Sequence, residues 1–190
     1  MYNLKIITAS TRPGRKGPAL ADWILETAKK HIEFTPAILD LAEVNLPFLD
    51  EPNHPRIQKY EMEHTKRWSA SIDAADAFIF VMPEYNFGYP ATLKNALDFL
   101  YNEWNYKPVA FVSYGGVAAG TRSVQALKQV VTAMKMVPIV EAVNVPFFSK
   151  YINDQNKFNA DDTIQKSAEG MLKELLVWTG KLKEMRDKKE

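Results

Sequence analysis

The chain has 190 residues, of which 46% are hydrophobic and 25% charged, with a formal net charge of +1 and no cysteine. That is enough chain for one full core and too little for two comfortable domains, so a single domain over residues 1–190 is expected. The charge balance gives no reason to expect a nucleic-acid or membrane partner, and the missing cysteines exclude a disulfide framework and a thiol nucleophile. No apolar stretch approaches the roughly 18 residues of a membrane span and no leader pattern is seen, so a soluble, cytoplasmic protein is the expectation. Any redox chemistry would have to be carried by a cofactor.

In chain order the elements alternate. Leu4, Ile6, Ile7 and Ala9 form a first short apolar strand. It runs into Ser10-Thr11-Arg12-Pro13-Gly14-Arg15-Lys16-Gly17, after which Pro18 opens a helix carrying Leu20, Trp23, Ile24 and Ala28 at helical spacing. Residues 34–41 read as a second strand, with Pro36 confining it to an edge. Residues 45–55, with three prolines, are a loop, and 57–75 a polar helical segment. Residues 77–82 are a continuous apolar run, the pattern of a strand buried on both faces. After the loop that follows, Leu93, Ala96, Leu97, Leu100 and Trp104 recur at helical spacing. A fourth strand at 109–113, a helix at 117–134, a fifth strand at 136–145 held to an edge by Pro138, a polar loop at 153–161 and an amphipathic helix from 161 to about 185 complete the chain. Residues 181–190 are expected to fray in solvent.

Five strands alternating with helices predict an α/β fold with a doubly wound parallel sheet. The proline-bearing strands two and five belong outside, and the clean strands one, three and four inside. That selects the flavodoxin-like order 2-1-3-4-5, with helices on both faces.

Three loops then share the C-terminal rim of the central strands, where ligands of open α/β sheets bind. The first, 10–17, joins the hydroxyls of Ser10 and Thr11, the cations Arg12, Arg15 and Lys16, and Gly17 at a helix N-terminus, a combination suited to phosphate. It is neither a Walker A loop nor a G-x-G-x-x-G fingerprint, and a solvated basic turn would carry the same residues. The second holds Pro83, Glu84, Tyr85, Asn86 and Phe87, which offer a fixed backbone, an amide and aromatic faces to a flat heteroaromatic ligand; the same aromatics would also plug the sheet's end. Glu84 has neither a histidine nor a second carboxylate beside it in sequence, which suits an acceptor that fixes the loop. The third, Ser113-Tyr114-Gly115-Gly116, lets backbone approach a ligand closely, and is otherwise a strand-to-helix turn. His31, His54 and His64 lie in polar segments without metal-ligand spacing, so no metal site is expected.

Together, in order and at matching spacing, Ser-Thr-Arg-Pro-Gly-Arg (10–15), Pro-Glu-Tyr-Asn (83–86) followed by Leu-Lys-Asn-Ala-Leu-Asp (93–98), and Ser-Tyr-Gly-Gly (113–116) resemble the NADPH-dependent FMN reductase family, a flavodoxin-like group that includes quinone, azo-dye and chromate reductases. The resemblance covers about residues 2–145. It implies FMN with its phosphate on loop 10–17 and its isoalloxazine between loops 83–88 and 113–116, NADPH or NADH as donor, a small-molecule acceptor, and a homodimer or homotetramer with the ring near a subunit boundary. Ala9, Ala91 and Ala119 stand where the family often has glycine, and each suits a backbone of negative φ.

Flavin carries the hard chemistry of such a site, so no protein acid or base is nominated as catalytic. A ping-pong cycle on an open flavin face is expected. A flavodoxin-like carrier that binds FMN without NADPH activity is the alternative; carriers of that kind are typically strongly acidic, which this chain is not. On the helix after the second loop, Lys94 and Asp98 suit an intrahelical pair, an intersubunit bridge or a solvated face. Tyr101, Trp104 and Tyr106 beyond it are expected at the surface.

Overall fold

Two prolines mark the outer edges of the sheet. The computed structural model describes residues 1–188. It contains β1 (Tyr2–Thr8), β2 (Phe34–Asp40), β3 (Ala77–Pro83), β4 (Pro108–Tyr114) and β5 (Val137–Val145). They pair in parallel in the order β2-β1-β3-β4-β5, the flavodoxin-like arrangement, with Pro36 and Pro138 on the two edge strands. Strands β3 and β4 are buried along their whole length, which is why they read as unbroken apolar runs.

Alternation along the strands sends successive side chains to two separate cores. Leu4, Ile6, Ile79 and Val112 pack under α1 (Gly17–Ala28) and the final helix. Ile7, Phe78, Phe80 and Phe111 pack on the other face, against Trp68, Leu97 and Leu127 of α3 (Glu63–Asp73), α4 (Ala91–Asp98) and α5 (Thr121–Ala133). A one-turn α2 (Leu41–Val44) follows β2. Each fully buried Phe contributes about 1.5–3 kcal/mol, so these two layers hold the loops at the rim in place.

Three helices are shorter than the apolar spacing predicts. α4 stops at Asp98, and Trp104 sits in a separate turn at Asn102–Trp104. Its indole N–H folds back to donate to the Leu97 carbonyl at 3.2 Å, closing the helix end it was expected to extend. Trp104 is therefore fully buried, with Phe78 5.0 Å away between ring centres, while Tyr101 and Tyr106 are half-buried. α3 begins at Glu63 because the Glu51 carboxylate accepts from the N–H groups of Glu61 and Met62, both at 2.9 Å, and holds that stretch out of the helix. α5 begins after Gly120, whose φ of +80° ends the preceding turn.

The last helix corrects a further expectation. α6 (Asp162–Asp187), capped by the Asp161 carboxylate on the Ile164 N–H at 2.9 Å, continues through the charged stretch expected to fray. Leu182 is buried, and Lys183 and Arg186 both reach Asp76, a partner far away in sequence. Residues 189 and 190 of that expectation lie outside the described residues. Among the described residues no helix is long and apolar enough to cross a membrane.

A candidate cofactor site at the C-terminal rim

Loop 10–17 leaves β1 beside β3, where the Ala9 N–H donates to the Val81 carbonyl at 3.0 Å. It curls through Gly14 at φ +72° and enters α1 at Gly17. A Cβ on Gly17 would stand 2.9 Å from the Tyr114 hydroxyl and 3.0 Å from Thr8 Cγ2. Glycine is what lets the helix start sit directly on the end of β4.

The second loop is a two-residue turn. Tyr85 and Gly88 exchange backbone hydrogen bonds, each 2.9 Å, and the central Asn86 and Phe87 both have left-handed φ, +49° and +70°. A bulky residue is disfavoured there, and Arg122 holds it: its guanidinium lies 3.8 Å over the Phe87 ring while its Nε donates to the Glu84 carboxylate at 2.5 Å. Glu84 is thus an anchor of the loop, with the Arg122 backbone N–H as a further donor at 3.2 Å.

In the third loop Ser113 is fully buried, meeting the Ala119 carbonyl and the Asn144 amide oxygen at 2.8 Å each. Ala119 has φ +54°, against the negative φ expected of a residue standing in a glycine's place. The left-handed conformation costs about 1 kcal/mol there, and the Ser113 contact to the same residue's carbonyl helps to hold it. The segment after β5 then runs alongside, with the N–H of Phe147 on the Gly116 carbonyl at 3.1 Å and that of Phe148 on Gly115 at 3.4 Å.

Between these loops lies a cavity of about 620 Å³, within the usual size of a small-molecule site. Loop 10–17 contributes Ser10, Arg12, Gly14, Arg15 and Lys16; the second loop Pro83, Glu84 and Tyr85; the third Tyr114, Gly115 and Gly116. The remaining sequence-nominated residues stand off it. Thr11 faces a smaller cavity beside Leu41, Asn45 and Asn95. Gly17 lies under the helix start, Ser113 is buried beneath its loop, and Asn86 and Phe87 form the exposed tip of their turn. Sequence reasoning missed the fourth wall, Phe148, Ser149, Ile152 and Asn153. The available signal was positional: these residues follow the C-terminal end of a strand, at the same rim as the three named loops.

The polar groups here differ in how far they are engaged. Arg15 is held by Asp40 through two parallel bonds of 2.5 and 2.7 Å, and the hydrogen bond to that carboxylate raises its pKa above the ordinary arginine value. Lys16 donates to the Asn156 amide oxygen at 2.7 Å, and the Ser10 and Tyr85 hydroxyls meet at 2.6 Å, joining the first two loops. Arg12 is exposed and, among the described residues, in no ion pair. Tyr114 is 3% exposed, its hydroxyl has no protein partner among the described residues, and burial pushes its pKa up. A helix N-terminus, a free guanidinium and the unpartnered Tyr114 hydroxyl at one end of the cavity fit an anionic group. Pro83, Phe148, Ile152 and the adjacent glycines line the rest with little side-chain polarity. The one lining carboxylate, Glu84, is engaged by Arg122, so the cavity offers a binding surface with no free acid–base pair.

Comparison with known proteins agrees with that geometry. Residues 3–150 match the sequence model of the NADPH-dependent FMN reductase family. An NAD(P)H-dependent FMN reductase of Schizosaccharomyces pombe is 45% identical over 145 residues, covering 74% of this chain and 72% of the relative. The NAD(P)H-dependent FMN reductase LOT6 of Saccharomyces cerevisiae is 34% identical over 142 residues, covering 69% and 74%. Among solved structures, the flavoenzyme NAD(P)H:(acceptor) oxidoreductase FerB from Paracoccus denitrificans superposes with a TM-score of 0.76 at 21% identity, over 95% of this chain and 98% of that one, which supports the fold.

Proposed function

The chain belongs to the NADPH-dependent FMN reductase family, and from that premise we propose that it passes electrons from NAD(P)H through FMN to a small acceptor (a quinone, an azo compound, free flavin or a metal oxyanion) in a ping-pong cycle. It is an NAD(P)H-dependent oxidoreductase with FMN as its cofactor. FMN, when bound, accepts hydride from the nicotinamide and returns electrons singly or in pairs.

The observation that carries the reading is the pairing of an anion cradle with a weakly polar slot in one cavity. Arg12, the Tyr114 hydroxyl and the N–H groups at the start of α1 would hold the phosphate. Pro83 to Tyr85 and the Gly115-Gly116 backbone would flank the ring, with Ser10, Thr11 and Lys16 completing the loop. The N–H groups of Asn86 and Phe87, at the tip beyond the cavity lining, donate to no acceptor among the described residues and would meet the ring where its edge reaches past Tyr85. With Glu84 engaged, the protein's part is to bind, orient and preorganise; proton exchange is left to solvent.

A homodimer or homotetramer in the cytoplasm belongs to the same reading. Lys94 and Asp98 pair within α4 and are each about 40% exposed, beside a groove lined by Leu49, Arg56, Tyr101 and Met134 and near Phe48, which is 88% exposed.

The test is the visible spectrum of the purified protein with FMN, followed anaerobically on addition of NADPH or NADH and then of a quinone. Bleaching by the nucleotide and recovery by the quinone are expected. A yellow protein that neither nucleotide bleaches would instead be an electron carrier, and a protein that takes up no FMN would overturn the reading.

A further inference from the structure

Arg15 stands on the cavity wall, yet its guanidinium is already committed. Nη1 and Nη2 take the two oxygens of Asp40 at 2.5 and 2.7 Å, and Nη1 also donates to the Ser10 carbonyl at 2.9 Å. The backbone N–H of Arg15 closes on the Arg12 carbonyl at 3.1 Å. The loop is therefore tied into a ring, with its start at Ser10 and its end at Arg15 held by one side chain.

Asp40 is the last residue of edge strand β2, and its Oδ1 also accepts from the Ala42 N–H at 3.0 Å, capping α2. The clamp is thus anchored to secondary structure at its acidic end. The two side chains are only 20% and 10% exposed, so solvent screens the pair far less than it does a surface ion pair. An anion that took Arg15 from this position would have to leave the Asp40 charge buried with the Ala42 N–H as its remaining donor.

We infer that Asp40 is a positioning residue for the phosphate end of the site: through Arg15 it holds loop 10–17 in the curvature that aims its backbone N–H groups into the cavity, while Arg12 remains as the cation free for the phosphate. The inference rests on the flavin reading above and adds to it that Arg15, which the motif suggests as a phosphate ligand, acts on the loop.

The test compares FMN with riboflavin, which lacks the phosphate, by flavin fluorescence titration of the apoprotein. The ratio of the riboflavin to the FMN dissociation constant isolates the phosphate end. Asp40→Asn should lower that ratio by about tenfold, the scale of a lost charged hydrogen bond. Arg15→Ala should lower it by a similar factor, and the double variant should add little, since both break one clamp. If Arg15 instead bound the phosphate directly, Asp40→Asn would free it and the ratio would rise; a rise or an unchanged ratio overturns the inference. Should Asp40→Asn fail to fold, Asp40→Glu, which keeps the charge but displaces it by one methylene, should also lower the ratio, and an unchanged ratio there overturns it equally. A wild-type protein that binds neither flavin overturns the reading of the site and the inference together, an outcome distinct from either of these.

Discussion

At the N-terminal rim of the sheet the Asp76 carboxylate accepts from the Asn3 N–H at 2.9 Å, Lys183 at 2.7 Å and Arg186 at 3.2 Å, and Lys107 donates to the Ile72 and Asp73 carbonyls at 2.9 and 2.8 Å. At the C-terminal rim, Arg12 has no ion-pair partner, and neither the Tyr114 hydroxyl nor the buried Thr8 Oγ1 has a hydrogen bond among the described residues. Asn86, Phe87, Ala119 and Phe147 there are held at left-handed φ, as Tyr106 and Lys135 are at the other rim. Both rims are rich in polar groups, but one spends nearly all of them on the chain itself, the buried Asn105 amide oxygen being an exception. A buried donor without a partner costs stability, so such donors mark where a ligand supplies what the fold withholds. The first rim locks α6 and α3 to the sheet; the second is left incomplete in a way that a phosphorylated ligand would complete.

That contrast can be broken from either side. Asp76→Ala should have the largest effect, about 3 kcal/mol of lost stability in urea denaturation, because it takes the acceptor from the Asn3 N–H and leaves the largely buried Arg186 with only the Tyr106 carbonyl. The FMN affinity of the fraction still folded should stay as it was; a parallel loss would mean that the two rims are coupled. Arg12→Ala should do the reverse. Unfolding should shift by no more than about 0.5 kcal/mol, as for an exposed side chain away from special features, while FMN binding falls by about 1.5–3 kcal/mol and riboflavin binding holds. Equal losses for the two flavins would remove Arg12 from the phosphate end.

The contrast also separates what the sequence makes legible from what it hides. Strand order follows from Pro36 and Pro138, because a residue without an N–H cannot sit inside a ladder. The three central loops follow from the rule that ligands meet strand ends. Beyond that, pairing across long separations decides the details. Nothing in loop 10–17 shows that Arg15 will meet Asp40, and nothing in the charged run after residue 180 shows that Asp76 waits for it. Trp104 keeps helical spacing, yet the chain has already turned, and its indole donates to the Leu97 carbonyl from a separate turn. The Phe148 to Asn153 wall belongs to a short stretch after β5 whose apolar and aromatic members, Phe148, Tyr151 and Ile152, are too few to show a period.

Smallest per unit step is a pH dependence at the N-terminal rim. Burial lowers the Lys107 pKa from 10.5 to about 8, a shift partly offset by the charge of Asp73 and reinforced by the positive charge of Arg186 nearby. In the unfolded chain the same lysine keeps its proton until about 10.5. Between about 8 and 10.5 the unfolded state therefore holds more proton than the folded one, and this group's contribution to stability rises with pH, by at most about 1.4 kcal/mol per unit. Below about 8 both states are protonated and the contribution is flat. Other lysines titrate in the same range, so the quantity to measure is the difference in unfolding free energy between wild type and Lys107→Met across that window. The difference should move in favour of wild type as pH rises, with FMN affinity unaffected. A difference that stays constant would mean that Lys107 keeps its charge at the end of α3, held by the two carbonyls it caps, and that the closed rim tolerates a buried cation as readily as the open rim does.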